Sequence, residues 1–101
     1  MTLSYQLVNR PGVETDLKEA VDYYKNISPE LARQFLIRIR EAKAAITIHP
    51  LMFQEKYKNV RTVLLKQFPY QIHYLIDDLH QNIIILAIIH AYKNPLNYSN
   101  R

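Results

Sequence analysis

The widest chemical repertoire in this chain belongs to its four histidines, His49, His73, His80 and His90. An imidazole with an ordinary pKa near ~6.5 can give or take a proton at neutral pH. His90 closes the apolar run 83–89 and is followed closely by Tyr92, Lys93 and Tyr98, while Arg61 and Lys66 supply cations elsewhere. A histidine acting as base or acid, with Lys66, Lys93 and Arg61 as counter-charges and Tyr98 nearby, is equipped for metal-independent cleavage of RNA through the substrate's own 2′-hydroxyl. A second, structural role is the one favoured for His90. It can cap the end of a strand, its ring nitrogens bonded to a backbone carbonyl or a tyrosine hydroxyl. Both roles stay open at the level of sequence.

Other chemistries are excluded more firmly. Gly12 is the only glycine, so neither a GxGxxG turn nor a P-loop can be built. With no cysteine there is no disulfide framework and no thiolate metal site, which fits a reducing compartment. The histidines stand at no usual metal spacing, Asp77 and Asp78 read as turn residues, and neither metal nor cofactor is expected. Ser4, Ser28 and Ser99 lack the setting of an activated nucleophile.

The elements that must position these groups can be read from periodicity. Residues 4–8 form a short strand ended by Arg10, Pro11 and Gly12. Val13, Leu17, Ala20, Val21, Tyr24 and Ile27 then recur every three or four positions, the stripe of an amphipathic helix, with Glu14, Asp16 and Glu19 at its positive end. Ser28 followed by Pro29 is a helix-start signal, so a second helix of about twenty residues begins at once and runs to the break before Pro50. The short joint forces an antiparallel hairpin. After a loop over 51–59 the period becomes two, in segments 60–68, 70–76 and 83–89. The last does not alternate, as expected of a strand inside a sheet with material on both sides. In 70–76, Tyr70, Ile72 and Tyr74 share one face, and His73 with Gln71 takes the other, toward solvent or a partner. The expected fold is α+β, one domain over residues 1–101: an N-terminal strand and a helical hairpin packed on a small, twisted antiparallel sheet.

The charge is unevenly placed. The net charge is +4, and Arg33, Arg38, Arg40, Lys43, Lys56, Lys58, Arg61 and Lys66 face only Glu41 and Glu55 in the middle of the chain. Such a patch attracts acidic proteins or polyanions, or else is a solvated helix face with a lysine-protected edge strand. The N-terminus carries no secretory signal pattern, and the longest apolar run is too short to cross a bilayer, so a cytoplasmic protein is expected without membrane contact.

Four motifs carry a resemblance: D-L-x-E-A-V-D-Y-Y over 16–24, S-P-E-L-A over 28–32, V-R…F-P-Y-x-I-x-Y over 60–74, and A-x-x-H over 87–90. In this order they resemble the RelE/ParE superfamily of toxins from type II toxin–antitoxin modules, also called plasmid stabilisation proteins. The resemblance spans nearly the whole chain and implies the same hairpin-on-sheet architecture. It also implies a cognate antitoxin, whose disordered segment folds onto the toxin, with Arg33, Ile37, Arg40 and Lys43 as its expected contacts. The assembly is open between a homodimer and a toxin–antitoxin hetero-oligomer.

Two mechanisms are implied by that superfamily. RelE-like members cut mRNA on the ribosome with a set of cations and a tyrosine near the C-terminus; ParE-like members bind DNA gyrase and inhibit it. At the positions where the RelE pattern has lysines this chain has Thr62 and Leu64, and where that pattern has arginines it has Gln71 and Tyr92. The departure favours a ParE-like toxin of gyrase that causes growth arrest, with Arg61, Lys66, Tyr92, Lys93 and Tyr98 as target contacts. A ribosome-dependent endoribonuclease and a non-toxic interaction module are the alternatives.

Overall fold

A computed structural model describes residues 5–92. The chain enters as strand β1 (Gln6–Asn9) and turns through Arg10, Pro11 and Gly12, where the φ of 100° is one that glycine adopts freely. Helix α1 (Val13–Ile27) buries Val13, Ala20 and Tyr24, and carries Glu14 and Asp16 in its first turn.

Ser28 alone joins α1 to α2 (Pro29–Ile48). Its extended backbone (φ −165°, ψ 130°) lets the N–H finish α1 on the Tyr24 carbonyl at 2.8 Å. Its Oγ accepts from the Leu31 amide at 3.4 Å, so one residue caps both helices. Pro29 at the first helical position has no amide to leave unpaired.

The sheet is ordered β1-β5-β4-β3-β2, with β2 (Glu55–Tyr57), β3 (Val60–Leu64), β4 (Tyr70–Asp77) and β5 (Asn82–His90). The expected antiparallel sheet is present from β2 to β5, and β1 joins its far edge parallel to β5, Gln6 opposite Asn82 through Asn9 opposite Ile85. Strand β2 lies within the segment expected to be loop. Its hairpin to β3 turns on Lys58 (φ 40°) and Asn59 (φ 67°), both left-handed, the conformation that suits a two-residue turn. Lysine in that position gives no turn signal.

Tyr74 pairs with Ile85 but His73 pairs with Ala87, which leaves Leu86 as the extra residue of a bulge in β5. The bulge explains the run that does not alternate. Ile83 and Ile85 face the helices before it, Ile88 and His90 after it, so the core positions shift register within one strand. Phe35, Ile39 and Ile46 of α2 and Val13, Ala20 and Tyr24 of α1 meet Val63, Ile72, Tyr74 and these isoleucines in one core. Asp16 fixes α1 to the bulge, its Oδ2 accepting the Ile88 amide at 3.1 Å. Among the described residues no helix is long and apolar enough to cross a membrane.

Candidate target and partner surfaces

The sheet face turned away from the helices carries the positions at which a RelE-like nuclease would hold cations. Thr62 lies opposite His73 and Leu64 opposite Gln71, so three of the four substituted positions are cross-strand neighbours of one another or of His73. None of the side chains of Thr62, Leu64, Gln71 and His73 supplies a charge there. His73 was expected to meet solvent or a partner, but it is only 6% exposed, packed between Thr62 and Ala87 on the flanking strands. Its Nδ1 stands 3.3 Å from the Tyr57 hydroxyl and its Nε2 3.3 Å from Gln71 Oε1. With Gln71 oriented so, the proton sits on Nε2 and the Tyr57 hydroxyl donates to Nδ1. Burial, with Lys56 nearby, lowers the His73 pKa from 6.5 to about 4. A neutral imidazole with both nitrogens engaged is a poor base and supplies no charge to a phosphate.

His90 acts as the strand cap, though its partner is neither a carbonyl nor a hydroxyl. Nδ1 accepts the Tyr92 backbone amide at 3.2 Å, which turns the chain off the sheet and leaves Nε2 to carry the proton. Its ring lies edge-on to Tyr70 and Tyr92, with centroids 5.3 and 6.0 Å away. Tyr92 is 80% exposed, and Lys66 is exposed where β3 ends, the same end of the sheet. Lys93 and Tyr98 lie outside the described residues. Arg61 sits apart from that end, pairing across to Tyr74 on the helix side, where its Nη1 donates to the Phe53 carbonyl at 2.7 Å and holds the loop after α2. Tyr74 holds the same loop, donating to the Pro50 carbonyl at 2.6 Å. Burial raises the Tyr74 pKa from 10.0 to about 12.

Of the residues expected to meet an antitoxin, Arg33 and Ile37 line one hollow on α2 together with Gln34, Arg38 and Gln67. Arg33 pairs with Glu30 within it. Arg40 is exposed on the outer face, and Lys43 lies on another flank, roughly 120° round the helix from Ile37. Partial burial lowers the Lys43 pKa. Sequence reasoning passed over a second groove of about 330 Å³ between α2 and β3. Ala42, Ala45, Phe53 and Val63 line it, with Arg38 and Lys66 among the polar residues around it. The signal in the sequence was Ala42 and Ala45, two of the four alanines of α2, three positions apart on one side of the helix.

A helical hairpin packed on a mixed five-stranded sheet is the fold of the RelE/ParE toxins. Comparison with known proteins agrees. The family model of the ParE toxin of type II toxin–antitoxin systems, parDE, matches residues 8–95. Toxin ParE2 of Mycobacterium tuberculosis (strain CDC 1551 / Oshkosh) is 33% identical over 85 residues, 83% of this chain and 79% of that protein. Among solved structures, a chain of the chromosomal ParDE TA system from P. aeruginosa superposes with a TM-score of 0.75 at 22% identity, covering 88% of this chain and 98% of that one. A chain of the toxin–antitoxin complex RelBE2 from Mycobacterium tuberculosis shares the fold more distantly, with a TM-score of 0.58 at 18% identity over 86% and 98% of the two chains. The chain belongs to the ParE toxin family of type II toxin–antitoxin systems.

Proposed function

We propose that this toxin acts by binding a protein target, DNA gyrase, and that a cognate antitoxin neutralises it. The observation that carries the reading is the outer face, where Thr62, Leu64 and Gln71 surround a histidine held uncharged. Cleaving RNA through its 2′-hydroxyl needs a base, an acid and cations for the extra phosphate charge, and losing one such group costs ~2.7–4 kcal/mol of transition-state stabilisation. Several such losses leave binding as the activity this face supports. Lys66 and Tyr92, at one end of the sheet, form the described part of the target surface, and Lys93 and Tyr98 continue it in sequence. Arg61 supports that surface from behind. The basic face of α2, with Arg33, Ile37, Arg40 and Lys43, is the proposed antitoxin side, in a cytoplasmic toxin–antitoxin hetero-oligomer. Expression of the toxin without its antitoxin tests the reading. Induction of the SOS response with gyrase-linked DNA breaks is the expected outcome; codon-specific mRNA cleavage with translation arrest would replace it with the nuclease reading.

A further inference from the structure

The aromatic core does not end at the surface of the protein. Tyr24 packs against Phe35 and Phe68, with centroids 5.3 and 4.8 Å away, and also meets Tyr23 at 5.1 Å and Tyr70 at 6.1 Å. The series of rings runs on from Tyr70 to His90 at 5.3 Å, and from His90 to Tyr92 at 6.0 Å. Tyr23 is 56% exposed, and Tyr70 is half-buried beside the core. An aromatic rim thus leads from the second half of α1 to Tyr92, already placed on the target surface. One carboxylate borders it. Glu19 is exposed one turn before Tyr23 on the same flank of α1. Burial raises the Tyr70 pKa, and the nearby charges of Tyr23 and Glu19 raise it further. Among the described residues Glu19 has no ion-pair partner.

We propose that Glu19, Tyr23 and Tyr70 form a receptor for an arginine side chain of the toxin's protein target. That the target is a protein rests on the reading given under Proposed function. The faces of the tyrosine rings attract a cation, and a carboxylate at their border turns that attraction into an ion pair. Arginine fits both parts at once, since its planar guanidinium stacks on a ring while its fork of donors meets the carboxylate. The surrounding charge agrees. Glu14, Asp16, Glu19 and Asp22 make α1 an acidic flank in a chain of net charge +4, which draws basic groups to this helix. A nucleic-acid strand stacked on the same rings would bring its phosphates against Glu19. With Lys66 at the same end of the sheet, the target surface then offers one cation and one anion, which fixes the orientation of the partner.

The test uses the full-length toxin and two readouts, inhibition of supercoiling by purified gyrase and growth arrest on expression. Glu19→Lys and Tyr23→Ala should each raise the half-inhibiting concentration about tenfold and relieve growth arrest. Tyr23→Phe keeps the ring and should act as wild type. Glu14→Gln, an exposed acid roughly 140° round the helix from Glu19, should also leave both readouts unchanged. Matched melting temperatures show that the fold is kept; if Tyr23→Ala unfolds, Glu19→Gln must give the loss instead. Full activity in Glu19→Lys together with Tyr23→Ala or Glu19→Gln overturns the receptor while leaving the gyrase reading standing. A gain of activity in Glu19→Lys overturns it too, since the group that meets the rim is then acidic. If the wild-type toxin arrests growth without touching gyrase, the gyrase reading fails; the receptor then stands if the variants relieve arrest and falls if they do not. A wild-type chain that neither arrests growth nor inhibits gyrase overturns both.

Discussion

The carboxylate of Asp16 accepts the backbone amide of Ile88 at 3.1 Å, tying the first turn of α1 to the bulge of β5. Strand β1 ends at Asn9, so the β5 residues after Ile85 have no further strand on that side, and the Asp16 side chain takes the place of one. A hydrogen bond to a charged group contributes about 1.5–3 kcal/mol, and an abandoned amide adds its own cost. Asp16→Ala should therefore lower the unfolding free energy by about 2 kcal/mol or more in urea titration. An unchanged midpoint would mean that the bulge does not depend on this contact.

His73 makes stability sensitive to mild acid. Its pKa is about 4 in the folded chain against 6.5 ordinarily, so the unfolded chain binds the extra proton first. The stabilisation is fully present above pH 6.5 and is lost as the pH falls through about 4. Unfolding midpoints of wild type and His73→Gln, compared across that window, should converge toward the acid end. Parallel curves would contradict the burial argument.

At the alkaline end the relevant group is Tyr74. Its pKa of about 12, raised from 10.0, favours the neutral phenol in the fold, so its contribution holds below pH 10 and fades as pH rises through about 12. Tyr74→Phe removes the bond to Pro50 at a cost of about 1 kcal/mol. Phenol absorbance should show one tyrosine fewer titrating before alkaline unfolding than the composition provides.

Because the His90 ring caps the strand, His90→Ala should keep full toxicity on expression and lose only modest stability. Tyr92→Ala and Lys66→Ala, at exposed positions on the same end of the sheet, should reduce toxicity with the melting temperature unchanged. A non-toxic, well-folded His90→Ala variant would restore a chemical role to that imidazole.

Much of the fold was legible because its signals are local. Ser28 and Pro29 announce the joint between the helices, and the stripe from Val13 to Ile27 announces α1. The motif from Phe68 to Tyr74 reads as alternation because those residues do line the helix side of the sheet. What escaped depends on distant pairing. Strand β2 is three residues long and turns on Lys58 and Asn59, which carry no glycine signal. His73 alternates with apolar residues and so reads as exposed, while its burial comes from neighbours on β3 and β5 that periodicity cannot supply. Arg61 reads as a free cation until the fold brings the Phe53 carbonyl to it. The groove between α2 and β3 is formed by residues distant in sequence, Ala42 and Ala45 meeting Phe53 and Val63, which no local pattern brings together.

The most direct measurement puts the purified toxin on purified DNA gyrase and, in parallel, on ribosomes programmed with mRNA. Loss of supercoiling with gyrase-linked DNA breaks, beside intact message, is the result the uncharged side chains of Thr62, Leu64, Gln71 and His73 predict. Cut message in the presence of ribosomes, with gyrase unaffected, would contradict it.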